Sequence, residues 1–289
     1  MRRLIAALLL GCATALASAE QPWVEEIPAA ALDADTVRFV QANAEFTLLH
    51  EMGHLLIHEL GLPVLGREED AADQLGFMGL FLLYRRQHEP DFAARLLDIA
   101  DYWRLEWQRA KPPHEEVREW DSHALDAQRF YNLACLAYGS DPRQLEWIIQ
   151  ATGLPEQRAF YCDQEYQQVL HALSWLKRHY QRQPGQPAGG QISVVYDEPS
   201  PALADGAELL AKVRGSGELE AVAAKAGEAF VLPRPLLLRL TSCGEPDAWY
   251  NQQSGELTLC YERLVHLRQL AAQLPRLRQP LHPAKDDHR

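Results

Sequence analysis

Basic residues are scarce in this chain. Its 289 residues hold 28 Lys and Arg against 40 Asp and Glu, a formal charge of −12. Nucleic acid and anionic membrane surfaces are bound through basic patches, so neither is an expected partner. Long apolar runs are missing too. The run Leu4 to Leu10 is too short to span a bilayer, and no other stretch approaches that length, so no transmembrane segment is expected. Cysteines are few (Cys12, Cys135, Cys162, Cys243 and Cys260) and no two are close in sequence, which argues against a Cys-ligated zinc. Strand patterns are almost absent before residue 182, and no propeptide is evident between Ala19 and the first helix.

What is present begins with Met1-Arg2-Arg3, the short apolar run, and Ala17-Ser18-Ala19. A basic start, an apolar centre and an Ala-x-Ala end make a secretory signal peptide over residues 1–19. Export to the periplasm or the medium is therefore expected. Leu9-Leu10-Gly11-Cys12 allows the alternative of a lipoprotein anchored through Cys12. Removing residues 1–19 takes away Arg2 and Arg3 and no acid, which brings the formal charge to −14. Four cysteines then remain. An even count in an oxidising compartment favours two disulfides over free thiols. Chain proximity favours Cys135 with Cys162 and Cys243 with Cys260.

The chain divides by composition into a helical part at 20–182, a flexible linker at 183–190, an α/β part at 191–273 and a disordered tail at 274–289. Asp35 or Thr36 is the expected cap of the first helix. Further helices are expected at about 67–84, 90–110, 122–138, 141–151 and 156–181, with Gly139 and Gly153 as stops and Pro142 and Pro155 near first-turn positions. The Gln183-Pro184-Gly185 to Gly189-Gly190 stretch carries the linker signal. Beyond it, strands are expected at 192–196 and 236–241, helices at 202–214, 217–229 and 261–273, and a hairpin around Tyr250–Tyr261 stapled by Cys243 and Cys260. The fold class is α+β and mostly helical. Trp103, Trp107, Trp120, Trp147 and Trp175 read as core or groove-lining residues.

Chemistry concentrates in His50-Glu51-Met52-Gly53-His54. The run Phe46–Leu60 is apolar and stops at Gly61 with Pro63 beyond, so it reads as a helix. On it, His50 and His54 are i and i+4 and project from one face. Two imidazoles so placed can take two corners of a zinc tetrahedron, and Glu51 sits where a carboxylate can reach a water at that metal. The neighbours Leu48, Leu49, Met52, Leu55, Leu56 and Ile57 bury that face, and buried polar groups need partners. A third ligand is expected from the acidic start of the next helix. Glu69 and Asp73 are i and i+4 there, so Glu69 can ligate while Asp73 takes the other ring N–H of His50 or His54. Glu68 is the alternative ligand. His58 continues the series, but its Cα lies ~12 Å along the axis from that of His50, too far for one ion. The position six beyond His54 is Leu60, which excludes the three-histidine pattern. Two His and one Glu remain. His88, His114, His171, His179 and His266 have no metal-site spacing.

His-Glu-x-x-His followed by Glu-x-x-x-Asp on a second helix is similar to the thermolysin-like zinc peptidases. The stretch Leu49–Leu75, His123-Ala124-Leu125-Asp126-Ala127-Gln128-Arg129-Phe130-Tyr131-Asn132, and Cys243-Gly244-Glu245-Pro246-Asp247-Ala248-Trp249-Tyr250 with Cys260-Tyr261-Glu262 together resemble a bacterial family of metallopeptidases of unknown function. The resemblance covers most of residues 40–265 and implies a zincin-like zinc peptidase without implying a substrate. In that family the two-cysteine segment precedes the zinc motif; here it follows, which implies a permuted order.

The reading is then an exported Zn2+ metallopeptidase acting on a peptide or protein. His50, His54 and Glu69 bind the metal, Asp73 supports a ligand, and Glu51 is the general base. His123 or Tyr131 is the candidate donor to the oxyanion; otherwise Asp121 or Ser122 caps a helix and His123 is only its neighbour. Residues 191–273 are expected to fold against 36–83 and supply an edge strand for substrate, the alternative being a tethered binding domain. The rival functions are a non-catalytic protein-binding module with structural or no metal, and a zinc amidase or deacetylase acting on cell-wall material.

Overall fold

The computed structural model describes residues 30–84, 92–109, 111, 120–187 and 189–278. The signal peptide, Cys12, His88, His114 and the tail from 279 lie outside the described residues. The fold is mostly helical with one small mixed sheet.

Its axis is α1, Ala34–Leu60. The helix is capped by Asp33, whose Oδ1 accepts from the Thr36 N–H at 2.8 Å, so the cap lies before the expected Asp35 or Thr36. It ends where the sequence says it should: Gly61 adopts φ 61°, and the Leu62 N–H reaches back to the Ile57 carbonyl. From Thr36 to Ile57 nearly every residue is buried, polar ones included. A helix buried on all sides has other elements packed around it, and α1 touches elements from both parts of the chain.

Against it runs α2, Glu68–Tyr84, followed by α3, Phe92–Gln108, and α4, Asp126–Ser140. The start of α4 is four residues later than expected. Asp121 Oδ1 accepts from both the backbone N–H and Nδ1 of His123, and such side-chain turns compete with helix. The stretch expected at 141–151 is helical only as α5, Trp147–Thr152. The one expected at 156–181 breaks at Phe160–Tyr161 into α6, Glu156–Ala159, and α7, Cys162–Tyr180. Cys162 is pinned to α4 at that break by its disulfide to Cys135, S–S 2.05 Å.

The second part begins with β1, Ile192–Tyr196, then a 3₁₀ turn at Pro201–Gly206, α8, Ala207–Ser216, and α9, Glu218–Ala229. It continues through β2, Leu236–Thr241, β3, Ala248–Asn251, and β4, Glu256–Cys260, to α10, Tyr261–Ala271, and α11, Leu274–Leu277. The sheet order is β1-β2-β4-β3, with β3 antiparallel to β4 and the other pairs parallel. Cys243 and Cys260 are bonded at 2.03 Å.

This part is packed on α1. Arg234 and the Tyr250 hydroxyl both reach Glu59 Oε1 at 2.5 Å, and Arg263 reaches Thr47 at 3.0 Å. The segment expected to be a loose linker is clamped: the Gly190 N–H bonds the Leu232 carbonyl at 2.8 Å, and a Cβ on Gly190 would lie 1.6 Å from the Arg234 carbonyl oxygen. The expected disordered tail starts too early at 274. Leu274 is buried, and Arg278 forms ion pairs with Asp98 at 2.6 Å and Asp101 at 2.7 Å. No described helix is long and apolar enough to cross a membrane.

Candidate metal centre and its cleft

Two glycines let α1 and α2 approach until their backbones nearly touch. A Cβ on Gly53, inside the His-Glu-x-x-His motif, would lie 2.8 Å from the Ala72 Cα, and one on Gly76 would lie 2.9 Å from the His50 nitrogen. That approach brings the first turn of α2 over the histidine face of α1. Glu69 Oε2 lies 3.3 Å from His50 Nε2 and 3.3 Å from His54 Nε2, and the two Nε2 atoms are 3.3 Å apart.

The triangle fits a metal. Ligands at ~2.0–2.1 Å from a tetrahedral zinc stand ~3.3–3.4 Å from one another. Glu69 Oε2 is buried and makes no hydrogen bond despite the imidazoles beside it, as a carboxylate oxygen aimed at a cation would. Charge points the same way. Glu51, Glu68, Glu69 and Asp73 surround the two histidines, and the Asp73–Arg129 ion pair offsets one of them. Burial pulls His54 down, yet Glu69 and Glu68 raise it to about 9. Burial likewise disfavours a charged His50, but Asp73 and Glu69 outweigh it. Burial would raise Glu69, but His123, His50 and His54 hold it well below the usual carboxylate range. Carboxylates on both sides of the two imidazoles favour a cation there, whether carried on the rings or bound between them.

The rear faces of both imidazoles are held. His50 Nδ1 bonds Asp73 Oδ1 at 2.8 Å, and Arg129 closes on Asp73 with Nε to Oδ2 at 2.8 Å and Nη2 to Oδ1 at 2.5 Å. Arg129 in turn stacks 3.7 Å from the centre of the Trp103 ring. His54 Nδ1 bonds Glu68 Oε1 at 2.7 Å, and His58 Nε2 meets the same oxygen at 2.9 Å. Glu68 therefore stands behind His54, away from the three-atom triangle. Carboxylates on the outer ring nitrogen fix the tautomer that leaves Nε2 free for a metal.

The sequence model of a family described as "Putative metallopeptidase" matches residues 12–177 and 199–282, which include every residue of this cluster. The chain belongs to that family. No curated protein and no solved structure matches it.

In this member of the metallopeptidase family the His50 corner of the triangle borders a cleft of about 230 Å³ whose wall includes His50, Glu51, His123, Arg129, Ala248 and Arg263. Glu51 is buried, makes no hydrogen bond among the described residues, and has Oε1 4.0 Å from His50 Nε2. Burial raises its carboxyl, against the pull of His50, His54 and Arg263. His123, from the loop before α4, sets Nε2 3.1 Å from Glu69 Oε2 and Nδ1 3.0 Å from Asp121. Glu69 raises it, against burial. Tyr131 is elsewhere: its ring packs on Phe130 and Trp107, and it lines a separate hollow with Arg67 and Arg158. It is not positioned as an oxyanion donor.

Arg129, Arg263 and the support given by Glu68 escape a reading of the sequence alone. Arg129 lies four residues before Leu133 on the buried side of α4, and a charge on a buried face is a signal that a partner exists. Nothing local marks Arg263.

Proposed function

We propose that the protein is an exported zinc metallopeptidase in which His50, His54 and Glu69 hold the metal and Glu51 is the general base. The observation that carries this is the equilateral set of two Nε2 atoms and one buried carboxylate oxygen that makes no hydrogen bond, with a second carboxylate beside it in a cleft. Two imidazole nitrogens and one carboxylate oxygen are a common catalytic zinc set, which leaves one position open. The chemistry zinc supplies in such a set is Lewis acidity, which brings the pKa of a water toward ~7.

The chain's own residues do the rest. Glu51 takes a proton from the attacking water and delivers it to the departing amine, a task suited to a carboxylate raised by burial. Asp73, backed by Arg129, and Glu68 keep the two imidazoles aimed. His123, held by Asp121, stands at the mouth as a cationic donor for the developing oxyanion. The sheet edge is β3. The Cys260 N–H donates to the Asp247 carbonyl at 3.0 Å, so by antiparallel alternation the backbone groups of Ala248 and Tyr250 face away from β4, toward an added strand. The α/β part and the helical part thus form one catalytic unit. Export follows from the N-terminal signal and suits two disulfides, which persist in oxidising compartments.

Glu51→Gln tests the mechanism. It should keep the fold and the metal and lower kcat on a peptide library by at least ~100-fold. Unchanged turnover would rule Glu51 out as the base. A wild-type protein that holds zinc yet cleaves no peptide would move the reading to an amidase or a structural metal.

A further inference from the structure

The cleft holds two guanidinium groups, and they are used differently. Arg129 is fully engaged, with its fork on Asp73 and its face on Trp103. Arg263, in the first turn of α10, donates Nε to Thr47 Oγ1 at 3.0 Å and Nη2 to the Tyr102 hydroxyl at 3.2 Å. Both acceptors are neutral. No described carboxylate pairs with Arg263, and its Nη1 makes no hydrogen bond among the described residues. A guanidinium has five donors in a rigid fork that matches a carboxylate. Here two neutral oxygens, with the centre of the Tyr102 ring 5.4 Å from the guanidinium carbon, fix the fork in place and leave part of it unspent on the wall that it shares with Glu51.

The wall's other carboxylate is not its partner. Asp247 is exposed, and its Oδ1 accepts from the Ala248 N–H at 2.8 Å. That bond has a further effect, because it occupies one of the few outward donors of β3. The edge is only four residues long, Ala248–Asn251. A short edge and a waiting guanidinium suit a peptide that ends inside the site.

We propose that Arg263 receives the C-terminal carboxylate of a peptide, so that the site removes residues from a free carboxyl end instead of cutting within a chain. This rests on the peptidase reading above. Hydrolysis breaks the last peptide bond: its carbonyl carbon gains the hydroxyl of water, and the departing nitrogen gains the proton carried by Glu51. The released amino acid leaves with its own carboxylate unchanged.

The test compares an N-acetylated dipeptide acid with its C-terminal amide, by calorimetry on the metal-free protein and by cleavage on the zinc-loaded protein. The acid should bind the wild type ~10–100-fold more tightly than the amide, the range of a charged hydrogen bond. Arg263→Met should abolish that preference, and Arg263→Lys should keep part of it, as a point charge without a fork. In kinetics Arg263→Lys should raise KM more than it lowers kcat. Equal binding of acid and amide by the wild type overturns the proposal, and so does a preference that survives Arg263→Met. If Arg263→Met does not fold, the wild type and the Lys variant decide. Cleavage of internal bonds without a carboxylate preference overturns the Arg263 assignment alone. A carboxylate preference with no hydrolysis of any peptide overturns the peptidase reading, and with it the exopeptidase.

Discussion

The helical layer and the α/β layer treat their polar groups in opposite ways. In the helices, the acids around the histidines find partners within the layer: Asp73 takes Arg129 and His50, and Glu68 takes His54 and His58, while Glu59, Asp98, Asp101 and Glu106 are met from the other part of the chain. Glu69 Oε2 is left over, and it faces the histidines. In the α/β layer the principal polar contacts cross to the other side. Arg234 and Tyr250 go to Glu59, Arg263 to Thr47 and Tyr102, and His266 to Glu106. The first layer assembles the candidate cation site by itself, and the second reaches over to place a cleft wall. Damage within the helical layer should therefore weaken the metal site, while damage to a crossing contact should spare it.

Asp73→Asn should break the first half of that comparison most severely. It leaves Arg129 buried without its carboxylate and takes the acceptor from His50. Breaking a buried pair costs ~3–5 kcal/mol, and losing such support weakens metal binding ~10–100-fold. Urea unfolding and a competitive zinc titration read both. Zinc affinity that stays at the wild-type value would show that His50 is aimed by something else.

Gly76→Ala should act next, through distance alone. The added methyl would meet the His50 backbone at 2.9 Å, and overpacking of this kind costs ~1–3 kcal/mol. Thermal melting should fall together with zinc affinity as α2 is pushed from α1. Gly66→Ala, with nothing within 4 Å of the added carbon, is the control and should change neither.

The smallest effect sharpens the other half. Burial would raise Glu106, but His266 and then Arg109 outweigh it and bring it down to about 2. A depressed carboxyl contributes stability above its unfolded value of ~4.3, and that contribution is lost as pH falls through about 2. His266→Ala should therefore lower the urea midpoint at pH 7, and its gap from the wild type should narrow between about pH 4 and pH 2. Zinc content at pH 7 should be unaltered. A loss of zinc in this variant would mean that the layers are coupled more tightly than the contacts imply.

Much of the candidate metal centre was legible because it is built from short-range geometry. His50, Glu51 and His54 are fixed by helical spacing, and Glu69 and Asp73 by one turn of the next helix, so periodicity brings each set onto one face. Gly61, the strands at 192–196 and 236–241 and both cysteine pairs were equally readable from local signals. Glu68 was ambiguous because adjacent residues on a helix diverge by ~100°, and only the packing of α2 on α1 decides which one meets the Nε2 atoms and which one Nδ1 of His54. Arg129 and Arg263 were missed because their partners are 56 and 216 residues away. The break in the expected 156–181 helix and the late start of α4 share a cause: a tertiary bond at Cys162 and a side-chain turn at Asp121 override patterns that favour helix. The tail was misjudged because the partners of Arg278, Asp98 and Asp101, lie in α3.

The central claim is that the Glu69 oxygen and the two Nε2 atoms form one metal site. Elemental analysis of the purified mature protein, beside Glu69→Ala and Glu68→Ala, tests it most directly. The account predicts one zinc per chain in the wild type, none in Glu69→Ala, and zinc that is held but more weakly in Glu68→Ala. A wild-type protein that takes up no zinc after reconstitution, or a Glu69→Ala variant that keeps it, would contradict the account.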